Sequence, residues 1–207
     1  MTSNRKTCLD SLIQNSKIPV ELITKNNLHT HASNLHPGFD YLSATHKSDY
    51  LRSYFMYNYG GGYTDIKYCN YDWRPYFIQL ENSNKSFIGY KEGSKKDVGY
   101  QPAEEHYYKL AGNTHYIFKP HTSFAKRWVE ETNKKMDEIY DRLLRYPGNY
   151  HPRAIRGGVH GEPNLFKTSN YPLEWNELLG RIFHRIQLDY LEEIVLSMPY
   201  PNTVGYR

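Results

Sequence analysis

The sequence HKSDYLRSYFMYNYGGGYTDIK, residues 46–67, places a helix signal, three consecutive glycines and a strand signal in direct succession. Leu51, Tyr54 and Phe55 follow the i, i+3, i+4 spacing, which predicts a helix over about residues 46–59 with these side chains facing the core. The glycines end that helix and turn the chain sharply, because glycine adopts positive φ at little cost. The residues after the glycines then favour a strand. We expect this helix–turn–strand unit to anchor the fold.

The polar residues of the same unit form a candidate ligand site. Asp49 and Arg52 are three positions apart near the start of the helix, so they share a face, which we expect to point away from the apolar side chains. Asp65 lies in the predicted strand at 63–68, beside the gap that the glycines make. Ligands of open α/β sheets bind at strand ends, and a carboxylate there suits a divalent cation that bridges phosphate oxygens. Each part alone also fits a capped helix, a glycine C-cap and an edge-strand Asp.

Outward from this unit, helix and strand signals alternate along the chain. Further strands are predicted at residues 20–24, 77–80, 87–90 and 115–119. Further helices are predicted from a cap at Asn4 or Thr7 through residue 13, and at residues 102–110, 123–145 and 189–198. This alternation predicts an α/β fold with a mostly parallel central sheet flanked by helices. A length of 207 residues fits one domain over residues 1–207, which can be part of a longer protein.

Composition excludes several classes of protein. Hydrophobic residues make up 39% and charged residues 23% of the chain, as in ordinary globular proteins. The apolar runs are far shorter than the roughly 18 residues that span a bilayer, and the opening residues have no apolar signal core. We therefore expect a soluble, cytoplasmic protein without a membrane span. Cys8 and Cys69 are expected to be reduced structural thiols, since two cysteines make neither a disulfide framework nor a zinc site.

The charge and the tyrosines leave a rival function open. The net charge is +4, and no run of basic residues is longer than Lys-Lys. The chain also has 21 Tyr, whose rings can stack on sugars or on bases. A nucleic-acid-binding module would use such stacking, but it normally shows clustered Lys and Arg, and that clustering is missing here. We therefore expect no nucleic acid among the partners.

The central unit resembles a known family of enzymes. Ser48-Asp49-x-x-Arg52, an amphipathic helix and then Gly-Gly-x-Tyr-x-Asp are similar to the sugar-binding region of the DxD glycosyltransferases. That family includes the yeast initiating mannosyltransferase, the large clostridial toxins and bacterial capsular-polysaccharide enzymes. Its downstream pattern resembles the stretches Gly112-Asn113-x-x-Tyr116-Ile117-x-x-Pro120 and Trp175-x-x-x-Leu179-Gly180-x-Ile182-Phe183-His184. The likeness thus runs from about residue 7 to 185, and more narrowly it extends to a glycosyltransferase domain of large chlorella viruses, which would act in the host cytoplasm.

The resemblance implies a GT-A fold, a nucleoside-diphosphate-sugar donor, in the first place UDP-linked, and Mn²⁺ or Mg²⁺ as cofactor. The implied reaction moves a hexose or deoxyhexose to a glycan hydroxyl with retention of anomeric configuration. Asp49 would bind donor-sugar hydroxyls, Arg52 would hold the sugar or its phosphate side, and Asp65 would lie at the ribose and the metal. The other implied donor-site residues are Gly61, Gly62, Lys67 and Asn113, and His184 is implied as a late metal or phosphate ligand.

One departure from the family pattern matters most. The second Asp of the motif, which usually binds the metal directly, is Lys67 here. A charged lysine cannot bind a cation, although it can hold a phosphate, so Asp65 would have to be the ligand itself, with Asp72 as a nearby substitute. This departure keeps open a catalytically inactive domain that only binds sugars.

For the other polar residues the sequence gives less reason to expect a catalytic or ligand-binding role. A carboxylate of Asp97, Glu104 or Glu105 could act as an acid or base, and carboxylates near turns are more often simply solvated. A long glycine-rich loop over residues 147–167 contains His151, Arg153, Arg156 and His160, which would either close over the diphosphate or line a surface. His29 and His31 lack a nearby third ligand, so we expect no metal there. Without the resemblance, His184 would be read as a core histidine.

Overall fold

The structure is a computed structural model that describes residues 1–148 and 170–202. Its α-helices are α1 (Ser3–Asn15), α2 (Leu28–His31), α3 (Ala44–Asn58), α4 (Arg74–Glu81), α5 (Ser123–Arg145) and α6 (Gly180–Gln187). Its strands are β1 (Gly61–Thr64), β2 (Phe87–Lys91), β3 (Ala111–Phe118) and β4 (Ile194–Leu196). Short 3₁₀ helices span Phe39–Tyr41, Lys95–Asp97, Gln101–Lys109 and Leu191–Glu193. None of the helices in these ranges is long and apolar enough to cross a membrane.

The strands of the described residues form one mixed sheet in the order β1-β3-β2-β4. β3 runs antiparallel to both β1 and β2, and only β2 and β4 pair in parallel. The prediction of a mostly parallel sheet is therefore wrong, while the prediction of a sheet flanked by helices is confirmed. The physical reason lies in the connection from β2 to β3, which contains only 3₁₀ turns. A parallel neighbour would need a crossover helix over one face of the sheet.

An aromatic core holds α5 and α6 against one face of the sheet. Phe87 of β2 stacks on its cross-strand partner Phe118 of β3 at 4.4 Å between ring centroids. Trp128 of α5 contacts Phe183 of α6 at 4.6 Å, and both side chains are fully buried. The predicted helix at 123–145 is confirmed with its apolar face in this core, because its apolar side chains recur at helical spacing.

Helix α3 buries more of its surface than its apolar residues predict, although Leu51, Tyr54 and Phe55 do pack against the core. Leu51, Tyr54 and Phe55 are only half-buried, whereas Asp49 and Arg52 are buried. The buried positions still recur every three or four residues, as a helix requires; they are His46, Asp49, Tyr50, Arg52, Ser53 and Met56. The expected direction of Asp49 and Arg52, away from Leu51 and Phe55, does not place them in solvent, because both side chains are buried. Hydrogen bonds and ion pairs among polar groups therefore stand beside the apolar packing of Tyr50 and Met56 on this helix.

Four other element predictions are wrong in whole or in part. The strand predicted at residues 63–68 is shorter and begins earlier, because β1 spans Gly61–Thr64 and Asp65 follows it. Residues 20–24, which lie in the described part of the chain, form no strand and pair with no neighbour in the sheet. Residues 77–80 belong to α4, whose start fits Pro75 in its first turn, since proline is favoured there. Within 189–198 the chain forms a 3₁₀ turn and then β4, which pairs with β2 through its β-branched residues. Short apolar runs are ambiguous between helix and strand, and pairing partners decide the outcome.

Candidate functional site

A cleft of about 2000 Å³ opens beside the helix–turn–strand unit. Two parts of the chain line most of it: residues 18–25, which we call the outer segment, and the α3–β1 unit from residue 44 to 67. The outer segment has no regular structure. Its apolar side chains Val20, Leu22 and Ile23 are half-buried and line one wall of the cleft. A volume of this size exceeds that of a typical small-molecule site, which is roughly 300–1,000 Å³.

Arg52 joins the polar groups that line this cleft. Its Nη2 is 3.2 Å from Asp65 Oδ1 and 3.5 Å from Asp49 Oδ1. Its Nη1 donates a hydrogen bond of 2.6 Å to the backbone oxygen of Asn113 on β3. The structure therefore brings together Asp49, Arg52, Asp65 and Asn113, which come from three elements of the fold.

Asp65 is positioned by the end of β1. Its backbone N–H donates to Thr114 O at 2.9 Å, which continues the ladder with β3 by one residue. The Tyr63 hydroxyl donates to Asp65 Oδ1 at 2.8 Å, since residues i and i+2 of a strand point to the same face. The Asp65 side chain keeps 20% of its surface exposed, so a ligand in the cleft can reach it.

Tyr63 also supports the guanidinium of Arg52. The Cζ atom of Arg52 lies 4.3 Å from the centre of the Tyr63 ring, a distance at which cation–π attraction is favourable. Tyr63 in turn stacks on Tyr116, its cross-strand partner in β3, at 5.5 Å. Arg52 is thus held from below by an aromatic ring and at its edge by two carboxylates.

Burial changes the protonation of this cluster. Burial raises the pKa of Asp49 to about 7, although Arg52 lowers it in part, and Asp65 raises it further. Burial alone would lower the pKa of Arg52, but Tyr63, Asp65 and Asp49 together raise it above its ordinary value. Arg52 therefore stays charged, while Asp49 gains or loses its proton near neutral pH. A carboxyl poised in this range beside a cleft is a common feature of functional sites.

The three glycines have separate roles. Gly60 has φ +63°, and a Cβ there would lie 2.7 Å from Phe118 O, so only glycine fits the end of α3. Gly61 has φ +77°, and a Cβ there would meet no atom within 4 Å, in keeping with its place on the cleft wall. A Cβ on Gly62 would lie 2.8 Å from the ring of Trp73. Gly60 therefore permits the turn after α3, and Gly61 leaves the cleft wall without a side chain at its position.

Lys67 lies beside Asp65 on the wall of the cleft. Its backbone N–H donates to Asp65 O at 2.7 Å, so the chain turns tightly after the strand. Burial lowers the pKa of Lys67, Asp65 raises it, and the nearby charges of Arg5 and Arg52 lower it further. The lysine that replaces the second motif Asp therefore has two other cations as neighbours.

The residues proposed as metal ligands do not come together. His184 is fully buried, its Nδ1 accepts from Gly99 N at 2.7 Å, its Nε2 is 3.2 Å from Glu92 Oε1, and it does not line the cleft. The Asp72 carboxylate is bound by its neighbour Arg74 at 2.6 Å. Within residues 1–148 and 170–202, no group of three His, Cys, Asp or Glu side chains is placed to hold a metal ion.

The donor set at Asp65 does not fit a divalent cation held by the protein. Mn²⁺ and Mg²⁺ prefer several oxygen ligands around the ion. Here Asp65 Oδ1 already accepts from Tyr63 and Arg52, and the positive charge of Arg52 lies 3.2 Å away. The chemistry of the site therefore favours an anionic ligand over a cation.

The other predicted residues lie apart from the cluster or outside the described residues. Asp97 accepts from Ser94 Oγ at 2.8 Å, and Glu105 pairs with Lys95. His31 lines the cleft 3.4 Å from Glu21, and His29 is exposed on α2. Glu104 lies in a 3₁₀ helix away from the cleft lining. The loop residues His151, Arg153, Arg156 and His160 lie outside the described residues.

Sequence reasoning missed Tyr63, Arg5 and the outer segment. The signal for Tyr63 was present, because it lies in β1 two residues before Asp65, which follows the strand. No local signal existed for Arg5, whose Nη1 donates to Ile66 O at 3.5 Å across 61 positions of sequence.

Comparisons with protein-family models, with curated proteins and with solved structures found no match to this chain.

Proposed function

We propose that this chain is a glycosyltransferase of the GT-A type that binds a nucleoside-diphosphate sugar in the cleft and moves its hexose or deoxyhexose to a glycan hydroxyl. The observation that carries the proposal is the arrangement of Asp49 and Asp65 around one buried arginine beside a large cleft. A sugar offers several hydroxyl donors, and carboxylate oxygens are strong acceptors for them. The motif likeness adds the donor class, in the first place a UDP-sugar.

In this proposal the partly exposed Asp65 accepts hydrogen bonds from donor hydroxyls, and Arg52 fixes the direction of its carboxylate. Holding the donor in one orientation lowers the entropic part of the barrier. Cleavage of the bond between the anomeric carbon and phosphate leaves negative charge on the departing diphosphate. The positive charge of Lys67 on the cleft wall stabilises that charge as it develops. The acceptor oxygen takes the place of the phosphate oxygen at the anomeric carbon, and the proton of the acceptor hydroxyl passes to the departing diphosphate. The resemblance implies retention of configuration.

A second candidate is a domain that binds the sugar without catalysis. Its support is the closed arrangement of the cluster: Asp49 is almost fully buried, and Asp65 Oδ1 already accepts two hydrogen bonds. Such a carboxylate can position a ligand but is poorly placed to take up a proton or attack a carbon. The two candidates therefore share a binding site and differ in turnover.

Thermal unfolding with a panel of UDP-, GDP- and dTDP-sugars, each with Mn²⁺ and with EDTA, tests binding. A donor at 100 times its dissociation constant stabilises the folded state by about 2.7 kcal/mol, which for this chain length raises the midpoint by roughly 5 °C or more. We expect Asp65→Asn to abolish that shift, because it removes the charged acceptor at nearly constant volume. Asp10→Asn is the control, since Asp10 pairs with Lys6 on the surface of α1.

Turnover is measured as release of the nucleotide from the donor in the presence and absence of glycan acceptors. Release by the unsubstituted chain that is lost in Asp65→Asn supports the transferase. A thermal shift without release favours the sugar-binding domain. The absence of a shift with every donor would rule out both candidates.

A further inference from the structure

The cleft lining is rich in basic side chains. Among the described residues, the basic side chains that line it are Arg5, Lys25, Lys47, Arg52 and Lys67, and the acidic ones are Glu21, Asp49 and Asp65. Asp49 adds little negative charge, because it is almost fully buried and its pKa is raised to about 7. Asp65 is paired with Arg52 at 3.2 Å. The cleft is therefore net positive although the cluster at its wall contains two carboxyls.

Arg5 and Lys67 bring two of these charges close together from different parts of the sequence. Arg5 lies on α1, and its guanidinium reaches the backbone oxygen of Ile66, the residue before Lys67. Lys67 is half-buried; burial opposes its positive charge, Asp65 favours it, and Arg5 and Arg52 oppose it. The positive charges of Arg5 and Lys67 repel each other, and an anion placed between them would reduce that repulsion.

The chemistry of these two side chains suits phosphate oxygens. Arginine presents several N–H donors in a planar fork, and lysine acts as a compact charge. Charged hydrogen bonds from both types are common at phosphates. Lys67 stands at the motif position where a cation-bridged diphosphate would need a carboxylate. Arg5 lies next to it, at the backbone oxygen of Ile66.

We propose that the cleft binds a diphosphate directly through Arg5 and Lys67, without a divalent cation. That this diphosphate belongs to a nucleotide-sugar donor rests on the proposed function, whereas recognition of the diphosphate itself rests on the two cations. In this arrangement Lys67 supplies at the second motif position the charge that a metal would otherwise supply.

Isothermal titration of the whole chain with inorganic pyrophosphate and with UDP-glucose, each in EDTA and in MnCl₂, tests the inference. We expect pyrophosphate to bind in EDTA at least as tightly as in MnCl₂, since Mn²⁺ binds pyrophosphate in solution. Lys67→Gln and Arg5→Gln should each weaken binding about tenfold, the effect of one charged hydrogen bond. Higher NaCl should weaken binding as well, since salt screens partly exposed charges. Thermal unfolding of each variant checks that it folds.

Lys6→Gln is the matched control, because it removes the same charge from the next position of α1, where the side chain is exposed and pairs with Asp10. It should leave pyrophosphate binding unchanged. Affinity that requires Mn²⁺, or equal affinity in the Lys67 and Arg5 variants and the unsubstituted chain, would overturn the inference. If UDP-glucose bound only in the presence of Mn²⁺, the inference of a metal-free diphosphate site would be overturned and the proposed function would stand.

Two further outcomes separate the proposals. Pyrophosphate that binds in EDTA through Lys67 and Arg5, with no added affinity for UDP-glucose or the other nucleotide sugars, upholds the diphosphate site and overturns the proposed function. Failure of pyrophosphate, UDP-glucose and the other nucleotide sugars to bind in either buffer overturns both proposals.

Discussion

Helices α3 and α5 pack against each other, yet only α3 buries charged side chains among its apolar ones. The buried face of α5 is almost entirely apolar, with Phe124, Trp128 and Met136 fully enclosed. The buried face of α3 includes Asp49 and Arg52. Both faces have the same helical spacing, so the difference lies in chemistry and not in geometry. A buried polar face is costly unless it is paired, and here the paired face lines the cleft.

This contrast separates a helix that stabilises the fold from one that also presents chemistry. The neighbours of α5 are other apolar side chains, so its contribution grows with buried area. The neighbours of α3 include charged groups beside β1 and a backbone oxygen on β3 as well as apolar residues of α5, so part of its contribution depends on protonation and on ligands. Substitutions in the two helices should therefore differ in size and in pH dependence.

The largest effect is expected in α5. Trp128→Ala should lower the free energy of unfolding by about 3–5 kcal/mol, because it leaves a cavity beside Phe183 and Tyr116. Urea denaturation measures this change. Trp128→Phe is the control and should cost much less, since its indole N–H has no hydrogen-bond partner among the described residues. A similar loss in both variants would mean that the indole itself, and not the filled volume, is what stabilises the core.

A smaller effect with a distinct signature is expected in α3. The pKa of Asp49 is raised to about 7 in the folded state, so the folded state binds more protons than the unfolded state between about pH 4 and pH 7. The stability that this carboxyl contributes is therefore complete below about pH 4 and is lost as the pH rises through about 7. Asp49→Asn removes this dependence, and its stability relative to the unsubstituted chain should rise by on the order of 3 kcal/mol from pH 4 to pH 8.

Denaturation at a series of pH values measures the Asp49 effect. The groups that face Asp49 are Arg52, Asp65, Tyr116 and Tyr171. Burial also lowers the pKa values of His46 and His115, but both residues remain in the variant, so their contributions largely cancel in the difference. Asp10→Asn on the surface should show a difference within about 0.5 kcal/mol at every pH. If the difference in unfolding free energy between Asp49→Asn and the unsubstituted chain did not change with pH, burial would not raise the pKa of Asp49.

Much of the fold follows from local sequence. The bounds of α5 match the prediction because apolar spacing and a capping Thr122 agree, and α3 differs from its prediction by two residues at its start and one at its end. β2 lies where its apolar run predicts it, and β3 overlaps the strand predicted at 115–119 but begins four residues earlier, at Ala111. Residues 20–24 look like a buried strand but find no partner in the sheet. The mixed order of the strands depends on long-range pairing, which no local pattern encodes.

The candidate site was predictable in part for the same reason. Asp49, Arg52 and Asp65 lie within one short segment, and the structure brings them together. The inward direction of Asp49 was not predictable from hydrophobicity, because the apolar Leu51 and Phe55 suggested the opposite face. The approach of Arg5 to Lys67 depends on how α1 packs beside the end of β1. Contacts of this kind are set by tertiary structure alone.

The smallest predicted effect compares the caps of the two helices. Thr122 Oγ1 accepts from Ala125 N at 3.2 Å at the start of α5, and Ser43 Oγ accepts from His46 N at 3.3 Å at the start of α3. Thr122→Ala should cost about 1 kcal/mol, a usual value for a lost N-cap. Ser43→Ala should cost about 2 kcal/mol, at the upper end for caps, because the buried Ser43 Oγ also contacts His46 Nδ1 at 3.1 Å.

Urea denaturation of both alanine variants at neutral pH measures the caps, with Thr122→Ser and Ser43→Thr as controls that keep a hydroxyl at each cap. An excess cost at Ser43 would show that polar groups buried by α3 depend on one another beyond ordinary capping, whereas α5 is held by its apolar face. Equal costs at the two caps would mean that the contact between Ser43 and His46 adds nothing. The polar face of α3 would then derive its stability from Arg52 and its carboxylates, and the contrast between the helices would be confined to the residues that line the cleft.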